Sequence, residues 1–575
     1  MSHSHESLIL IQKMVKLPPP KAFSLFNSST SHGIHQTPQS ISFILNHLIS
    51  SGMVSQAQSV LMRVISGQIS SPMFSQSSLI HQLTQPHLAS SSIKTLLHEA
   101  IVNAYVHCQS PDQALYFLHQ MVHEGHSPRS NTFNGVLSLL VGSNCFDKAW
   151  EVFDELKSKV VLDVYSFGIM IKGCCESGDL MKGFQLLAMM EEVGLSPNVV
   201  IYTTLIDGCC KNGDVHLAKK LFCRMEGLGL VANQHTYCVL MNGFFRQDLQ
   251  KDGFQMYENM TRSGIVPNIY AYNCVISEYC KGGNVDKAFK AFDEMREKGV
   301  TYNVVTYNFL IGGLCQVKKL GEAVKLLAQV NRAGLRPNII TYNTLMSGFC
   351  DVGKMDNAVR LFNQLKSNGL SPTIVTYNTL IAGYSKIGDL AGALNLVKEM
   401  QERQLSPSKV TYTILIDAFV RLNCMENAFA LHSLMEKSGL VSDVCTYNVL
   451  IHGLCMNGNM KEASKLFKSL GELPHLEPNG VIYNTMIHGY CKEGNSYRAL
   501  RLLEEMVGNG MVPNVASFCS TIGLLCRDGK WKEAELLLQQ MINSGLKASA
   551  SLYNMVYKVK SEVSNVEPEG KAVGA

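Results

Sequence analysis

Residues 374–408 read IVTYNTLIAGYSKIGDLAGALNLVKEMQERQLSPS. Tyr377, Leu380, Ile381 and Tyr384 recur at i, i+3, i+4 and i+7, the apolar face of one helix. Gly388 breaks that helix, and Asp389 stands where a second helix needs its cap. Leu390, Ala393, Leu394, Val397 and Met400 resume the helical spacing, and Pro407 closes the unit. Helix, turn, helix and loop fill all 35 residues, so no length remains for a strand.

The phrase propagates along the chain. Aligned on the residue after the aromatic, Gly168, Thr203, Cys238, Asn273, Asn308, Asn343, Asn378, Thr413 and Asn448 stand 35 apart. The step to Asn484 is 36, through an insertion near ELPHLEPN (472–479), and Cys519 and Asn554 follow at 35. Upstream, Asn134 and Glu99 keep the register at steps of 34 and 35. Thirteen units therefore span 95–549, beginning at residues 95, 130, 164, 199, 234, 269, 304, 339, 374, 409, 444, 480 and 515. A partial unit and tail occupy 550–575, and SISFILNHLISSGMVSQAQSVLMRVI (40–65) marks a degenerate helical pair within 38–72, before a linker at 73–94.

One helical pair cannot bury its apolar face, whereas stacked neighbours can. The expected fold is all-α, a right-handed superhelical solenoid of about 13 tandem 35-residue helix-turn-helix repeats. With 46% hydrophobic and 17% charged residues, the chain has the composition of an ordered protein. Its net charge of +4 is small, so any site for a polyanion must come from local placement of cations. No apolar run approaches the ~18 residues that cross a membrane, and no membrane partner is expected.

Eighteen cysteines raise the question of metal. Eight of them (Cys175, Cys210, Cys280, Cys315, Cys350, Cys455, Cys491, Cys526) fall at one repeat position beside an apolar face, and no Cys-x-x-Cys occurs. They read as small buried thiols in a reducing compartment. Before residue 99 the only acidic side chain is Glu6, among Lys13, Lys16, Lys21 and many Ser and Thr. Segment 1–37 thus has the composition of an organelle transit peptide or a disordered tail. A mitochondrion is the first expectation and a chloroplast the second.

Units such as VVTYNFLIGGLCQVKKLGEAVKLLAQVNRAGLRPN (304–338) resemble the pentatricopeptide repeat (PPR) family in its plain 35-residue form, the P class of plant organelles. A tetratricopeptide array, with its 34-residue period and Trp signature, fits less well, because only Trp150 and Trp531 are present. The resemblance implies single-stranded RNA as partner, one base per repeat, read by the fifth and last residues of each unit. The pairs are Asn134 with Asp163, Thr203 with Asn233, Asn273 with Asn303, Asn308 with Asn338, and Asn343 with Thr373. Asn378 with Ser408, Thr413 with Asp443, Asn448 with Asn479, and Asn484 with Asn514 complete them. A helix cap or a turn also accounts for any one of these polar residues, though not for two matched columns.

Donor and acceptor inventories order the pairs. A terminal Asp only accepts and suits uracil or guanine; a terminal Asn also donates and suits cytosine or adenine; Thr at the fifth position leaves room for a purine. The implied target is U-x-A-x-Y-Y-Y-C-G-Y-Y, with Glu99/Arg129, Gly168/Asn198, Cys238/Asn268 and Cys519/Ser549 outside the pattern. Lys211, Arg246, Lys281, Lys386, Arg421, Lys492 and Arg527 share the thirteenth position and form a candidate phosphate row. The helix dipole favours cations there too. Second-position residues such as Val200, Val305, Ile340, Val375, Val410 and Val481 suit either base faces or inter-repeat packing.

No nucleophile elbow, phosphate loop, paired acids or metal spacing stands out, and the 26 residues after 549 are short for an appended catalytic domain. The expected activity is therefore binding without catalysis, with no cofactor and no metal. Intron splicing is the first role implied and transcript stabilisation or end processing the second, alongside other RNA-processing proteins. The alternative is a protein-binding helical scaffold with no RNA preference.

Overall fold

The computed structural model describes residues 2–31, 36–69, 76–83, 91–471 and 476–564. Among them are 32 α-helices and no strand. Contacts divide the chain into two compact units, Met1–Glu278 and Tyr279–Ala575. Within each, successive helical pairs stack in sequence order. In the second unit, helix Ile374–Ile387 packs on Leu390–Glu402 of its own repeat and on Ile339–Asp351 and Lys409–Arg421 of its neighbours.

The first-helix face expected from the 374–408 stretch is the buried one. Tyr377, Leu380 and Ile381 have no exposed surface, and Tyr384 is half-buried. The Tyr377 hydroxyl donates to Glu399 Oε1 at 3.2 Å, and burial, then the Glu399 charge, push that phenol up to about 12. Gly388 adopts φ 81°, and Asp389 Oδ1 accepts from the Gly392 N–H at 2.9 Å, so break and cap sit where they were expected. The second helix buries a narrower stripe than its spacing suggests. Ala393 and Met400 are fully buried, Leu390 and Val397 are half-buried, and Leu394 faces solvent at 38% exposure.

The turn between the helices requires a left-handed residue. Gly353 (φ 73°) and Gly388 supply it at no steric cost, whereas Lys318 occupies the same place at φ 61°. Lys318→Gly should stabilise the second unit by about 0.5–1 kcal/mol, seen as a higher urea midpoint.

Six of the eight aligned cysteines, Cys175, Cys210, Cys280, Cys315, Cys350 and Cys455, are spacers between repeats. A Cβ built on Gly348 would lie 2.7 Å from Cys315 Sγ, and one on Gly208 would lie 2.4 Å from Cys175 Sγ. Cysteine on one helix thus fits against a bare glycine backbone on the next. Burial pushes the Cys175, Cys210, Cys315 and Cys455 thiols up to about 12, so they stay protonated and unreactive. All 18 cysteines are free.

Three expectations need correction. Segment 1–37 is not a disordered tail: helices Ser2–Val15 and Pro19–Ser31 pack on each other and on Pro38–Ser50. Leu10 with Met14, and Ala22 with Phe26, are buried pairs spaced i, i+4, two short apolar faces hidden by Ser-rich composition. The linker at 73–94 contains helix Gln76–Leu83, with Leu79 and Ile80 buried. Finally, helix Ser91–His107 begins before the first unit's expected start at 95. Residues 472–475 of the insertion and 565–575 of the tail lie outside the described residues.

Candidate nucleic-acid interface

The last residue of each unit is the N-cap of the next helix. Asn338 Oδ1 accepts from the Thr341 N–H at 3.1 Å, Asp443 Oδ1 from the Thr446 N–H at 2.9 Å, and Asn514 Oδ1 from the Ser517 N–H at 2.8 Å. Capping and base reading are therefore not rival explanations. The cap consumes one terminal atom and leaves the other, Oδ2 of Asp or Nδ2 of Asn. Among the described residues nothing hydrogen-bonds to Oδ2 of Asp443 or Nδ2 of Asn338. The exposed atom is thus an acceptor in the first case and a donor in the second.

The fifth residue comes to the same place from the preceding first helix. Asn134 Nδ2 donates to Asp163 Oδ1 at 3.0 Å, and Asn308 Nδ2 donates to Asn338 Oδ1 at 3.3 Å. For Asn484 and Asn514, the Asn514 backbone N–H donates to Asn484 Oδ1 at 3.3 Å. Burial pushes the Asp163 carboxyl up, but the Ser166 N–H and the Asn134 amide outweigh it and hold it below the ordinary carboxylate range. Thr203 and Thr413 donate to carbonyls of their own helices, Val199 O at 2.7 Å and Lys409 O at 3.0 Å. Asn273 and Asn303 fall on opposite sides of the boundary between the two units.

Five of the expected pairs are not joined to each other by a hydrogen bond among the described residues: Thr203 with Asn233, Asn343 with Thr373, Asn378 with Ser408, Thr413 with Asp443 and Asn448 with Asn479. Thr373 does not bond to Asn343. Its backbone N–H donates to Thr376 Oγ1 at 3.1 Å and its hydroxyl meets the same oxygen at 3.2 Å. A hydroxyl cap has a single terminal atom, so Thr373 keeps no second one, as Asn or Asp does. Ser408 is likewise turned to Thr411, with its hydroxyl 3.0 Å from Thr411 Oγ1, rather than to Asn378. Asn479 does not bond to Asn448, because its Oδ1 takes the N–H groups of both Val481 and Ile482 at 3.1 Å. That leaves Asn479 Nδ2 as its unspent atom. The extra residue of the 36-residue step precedes this cap.

Four sequence columns converge beside these pairs. Val481, Asn484, Lys492 and Asn514 line one cleft of about 300 Å³ in the second unit. Val200, Thr203, Lys211 and Asn233 line its counterpart in the first. The second-position side chains are open to solvent, 62% for Val375 and 57% for Val481, so they are not inter-repeat packing. Where they are Val or Ile, they give the pair an apolar surface on which a base can lie.

The seven thirteenth-position cations are exposed, but not all stand alone. Lys211 pairs with Asp207 at 2.7 Å, Arg421 with Asp417 at 2.8 Å, and Lys386 with Asp351. Such exposed pairs hold by only ~0–1 kcal/mol, and a phosphate can displace the carboxylate.

Two of the units outside the pattern have their groups engaged. Arg129 Nε pairs with the buried Glu99 carboxylate at 3.3 Å. Asn268 Nδ2 is held by Gln234 Oε1 at 2.9 Å. Sequence reasoning missed one participant, the Thr or Ser at the third position of most units. Its signal was the Thr of the recurring Thr-Tyr-Asn phrase. Thr306, Thr341, Thr376, Thr411 and Thr446 are fully buried, and Thr341 Oγ1 donates to Asn308 Oδ1 of the preceding unit at 2.7 Å.

A family model described as "PPR repeat family" matches residues 128–176, 197–246, 267–316, 302–351, 337–383, 372–421, 410–456 and 478–527. One described as "PPR repeat" matches 165–195, 445–473 and 516–546. Over 201 residues the chain is 54% identical to the Arabidopsis thaliana pentatricopeptide repeat-containing protein At4g11690, covering 35% of each. Over 93 residues it is 36% identical to the Arabidopsis thaliana mitochondrial pentatricopeptide repeat-containing protein At3g14580, covering 16% of this chain and 23% of that one. The chain spans about a third or less of the length of these curated relatives. The crystal structure of the pentatricopeptide repeat protein PPR10 from maize aligns with 98% of this chain and 96% of its own, at 20% identity and a TM-score of 0.43.

Proposed function

The chain belongs to the PPR repeat family, and from that premise we propose that it binds single-stranded RNA sequence-specifically in a plant organelle. The observation that carries the reading is the repeated meeting of a fifth-position side chain and a half-used cap. Beside each such meeting lie an exposed second-position residue and, in several units, a Lys or Arg. Together the units offer faces for stacking, unspent hydrogen-bonding atoms for base edges and, at seven of them, a cation for a phosphate, the combination that splayed-out RNA requires. Read 5′ to 3′ along the repeats, the target is U-x-A-x-Y-Y-Y-C-G-Y-Y.

Binding acts by occupancy: it shields a stretch of transcript or holds it open. Support for intron splicing is the first role proposed and stabilisation or end processing the second. The acid-poor first 98 residues and the mitochondrial relative favour the mitochondrion.

A gel shift at physiological salt tests the reading. The matched RNA should bind more tightly than a scrambled one of equal composition; equal affinity for both would instead support a protein-binding scaffold. The affinity should fall linearly on a log–log plot against salt, with a slope of about −0.7 per phosphate contacted. Lys492→Ala should flatten that slope by ~0.7 while leaving base preferences unchanged. An unaltered slope would remove Lys492 from the phosphate row.

A further inference from the structure

We propose that, in the repeats that carry one, the buried Ser or Thr at the third position is a positioning residue that sets the polarity of the base reader in the repeat before it. The proposal rests on the RNA-binding reading above and adds a third residue to each reading pair.

The geometry recurs in both units of the chain. Ser166 Oγ donates to Asn134 Oδ1 at 2.7 Å, Thr341 Oγ1 to Asn308 Oδ1 at 2.7 Å, Thr411 Oγ1 to Asn378 Oδ1 at 2.8 Å, and Ser517 Oγ to Asn484 Oδ1 at 2.7 Å. The direction of the proton follows from the capping box. The Asn338 backbone N–H donates to Thr341 Oγ1 at 3.2 Å and the Ser408 N–H to Thr411 Oγ1 at 3.0 Å, so each hydroxyl has its own hydrogen left for the amide oxygen. In the Asn134 unit the orientation is fixed twice over. The Asp163 carboxylate only accepts, which obliges Nδ2 to face it and Oδ1 to face Ser166.

With its oxygen held inward, a fifth-position Asn presents only N–H to a base. It can serve the O2 acceptor that both pyrimidines carry, and it cannot accept. A fifth-position Thr is held the other way. Thr203 and Thr413 spend their protons on their own helices and share a hydrogen bond with Thr236 (2.7 Å) and Thr446 (2.9 Å), leaving only a lone pair outward. Asn and Thr readers therefore differ in sign as well as in size.

The chain's own variation follows this coupling. Eight of the nine fifth-position Asn or Thr residues are followed, one repeat on, by Ser or Thr at the third position. Of the four fifth residues with no amide or hydroxyl, Gly168, Cys238 and Cys519 are followed by Ile201, Ala271 and Leu552, while Glu99, whose carboxylate pairs with Arg129, is followed by Thr132. Helix capping alone does not explain this, because Asn198 and Asn268 cap onto Ile201 and Ala271 through backbone N–H groups without a hydroxyl. The one exception, Asn448 followed by Ile482, is compensated: Thr485 Oγ1, one turn along, reaches Asn448 Oδ1 at 3.0 Å. In the Asn343 unit the Thr376 hydroxyl is shared with Thr373 instead, and Asn343 Oδ1 is buried without a partner among the described residues.

The test is base preference at single target positions, measured with the full chain. Thr341→Val, which preserves shape, should reduce the pyrimidine-over-purine preference at the base opposite Asn308/Asn338 by about three- to tenfold. Thr341→Ser should retain it, and the other positions should not change. The gain-of-function arm uses the silent unit at 515–549. Cys519→Asn with Leu552→Thr should create a pyrimidine preference that Cys519→Asn alone lacks. Equal discrimination by Thr341→Val and Thr341→Ser would overturn the proposal. So would a Cys519→Asn single variant that reads as well as the pair, which decides the matter even if Thr341→Val weakens the fold. A wild-type chain with no preference among RNAs would instead overturn the RNA-binding reading.

Discussion

Gly312→Ala and Gly313→Ala should shift stability in opposite directions although the two glycines are neighbours in helix Val304–Gln316. Both substitutions gain the same helix propensity, about 1 kcal/mol. A Cβ on Gly312 would meet only Thr344 Cγ2, at an ordinary 3.7 Å, so the gain is kept. A Cβ on Gly313 would lie 2.5 Å from Cys280 Sγ, 2.8 Å from its Cβ and 3.3 Å from its Cα. A side-chain terminus can swing away, but the Cα belongs to the backbone of helix Ile269–Lys281. The two helices must separate, at about 1–3 kcal/mol, which exceeds the gain in propensity. Urea midpoints should rise for the first variant and fall for the second, with faster amide exchange in helix Val304–Gln316 for the second only. Changes of the same sign would contradict the cysteine–glycine contact as the spacer between repeats.

Asp443→Asn should move the base preferred by the Thr413/Asp443 unit from G toward A. The substitution is conservative for the fold, because Oδ1, which takes the Thr446 N–H at 2.9 Å, survives it. Only the atom left over changes, from the acceptor Oδ2 to the donor Nδ2. Guanine presents an N–H where adenine presents a lone pair, so the pairing inverts. Leaving one such group unpaired costs about 1–3 kcal/mol, hence a swing of roughly tenfold or more in relative affinity. Binding to RNAs differing at that one base would show it, with unchanged thermal stability as the control. An unchanged preference would remove the pair from the code.

Much of this was legible in residues 374–408. The i, i+3, i+4, i+7 spacing identified Tyr377, Leu380 and Ile381 as core, because a helix has one period and burial must follow it. The 35-residue register then located every fifth and last residue without coordinates. What the pattern could not give was which of two equal-looking polar atoms is spent inside the protein. Asn308 and Asn338 look alike in sequence. Only the stack brings Thr341, 33 residues later in the chain, onto the Asn308 oxygen, and only the cap assigns Asn338 Oδ1 to a backbone N–H. Nor could it show that Thr373 and Asn479 are turned to their own helices and not to Asn343 and Asn448. Likewise, the apolar pairs Leu10/Met14 and Ala22/Phe26 were too short and too diluted by Ser to register as helices until neighbours covered them. Sequence alone determined the repeat, its register and the two polar columns proposed to read bases, because those depend on local period and residue type. Tertiary structure decided the polarity of each reader and the spacing of the repeats, because both depend on contacts that close only when one unit lies against the next.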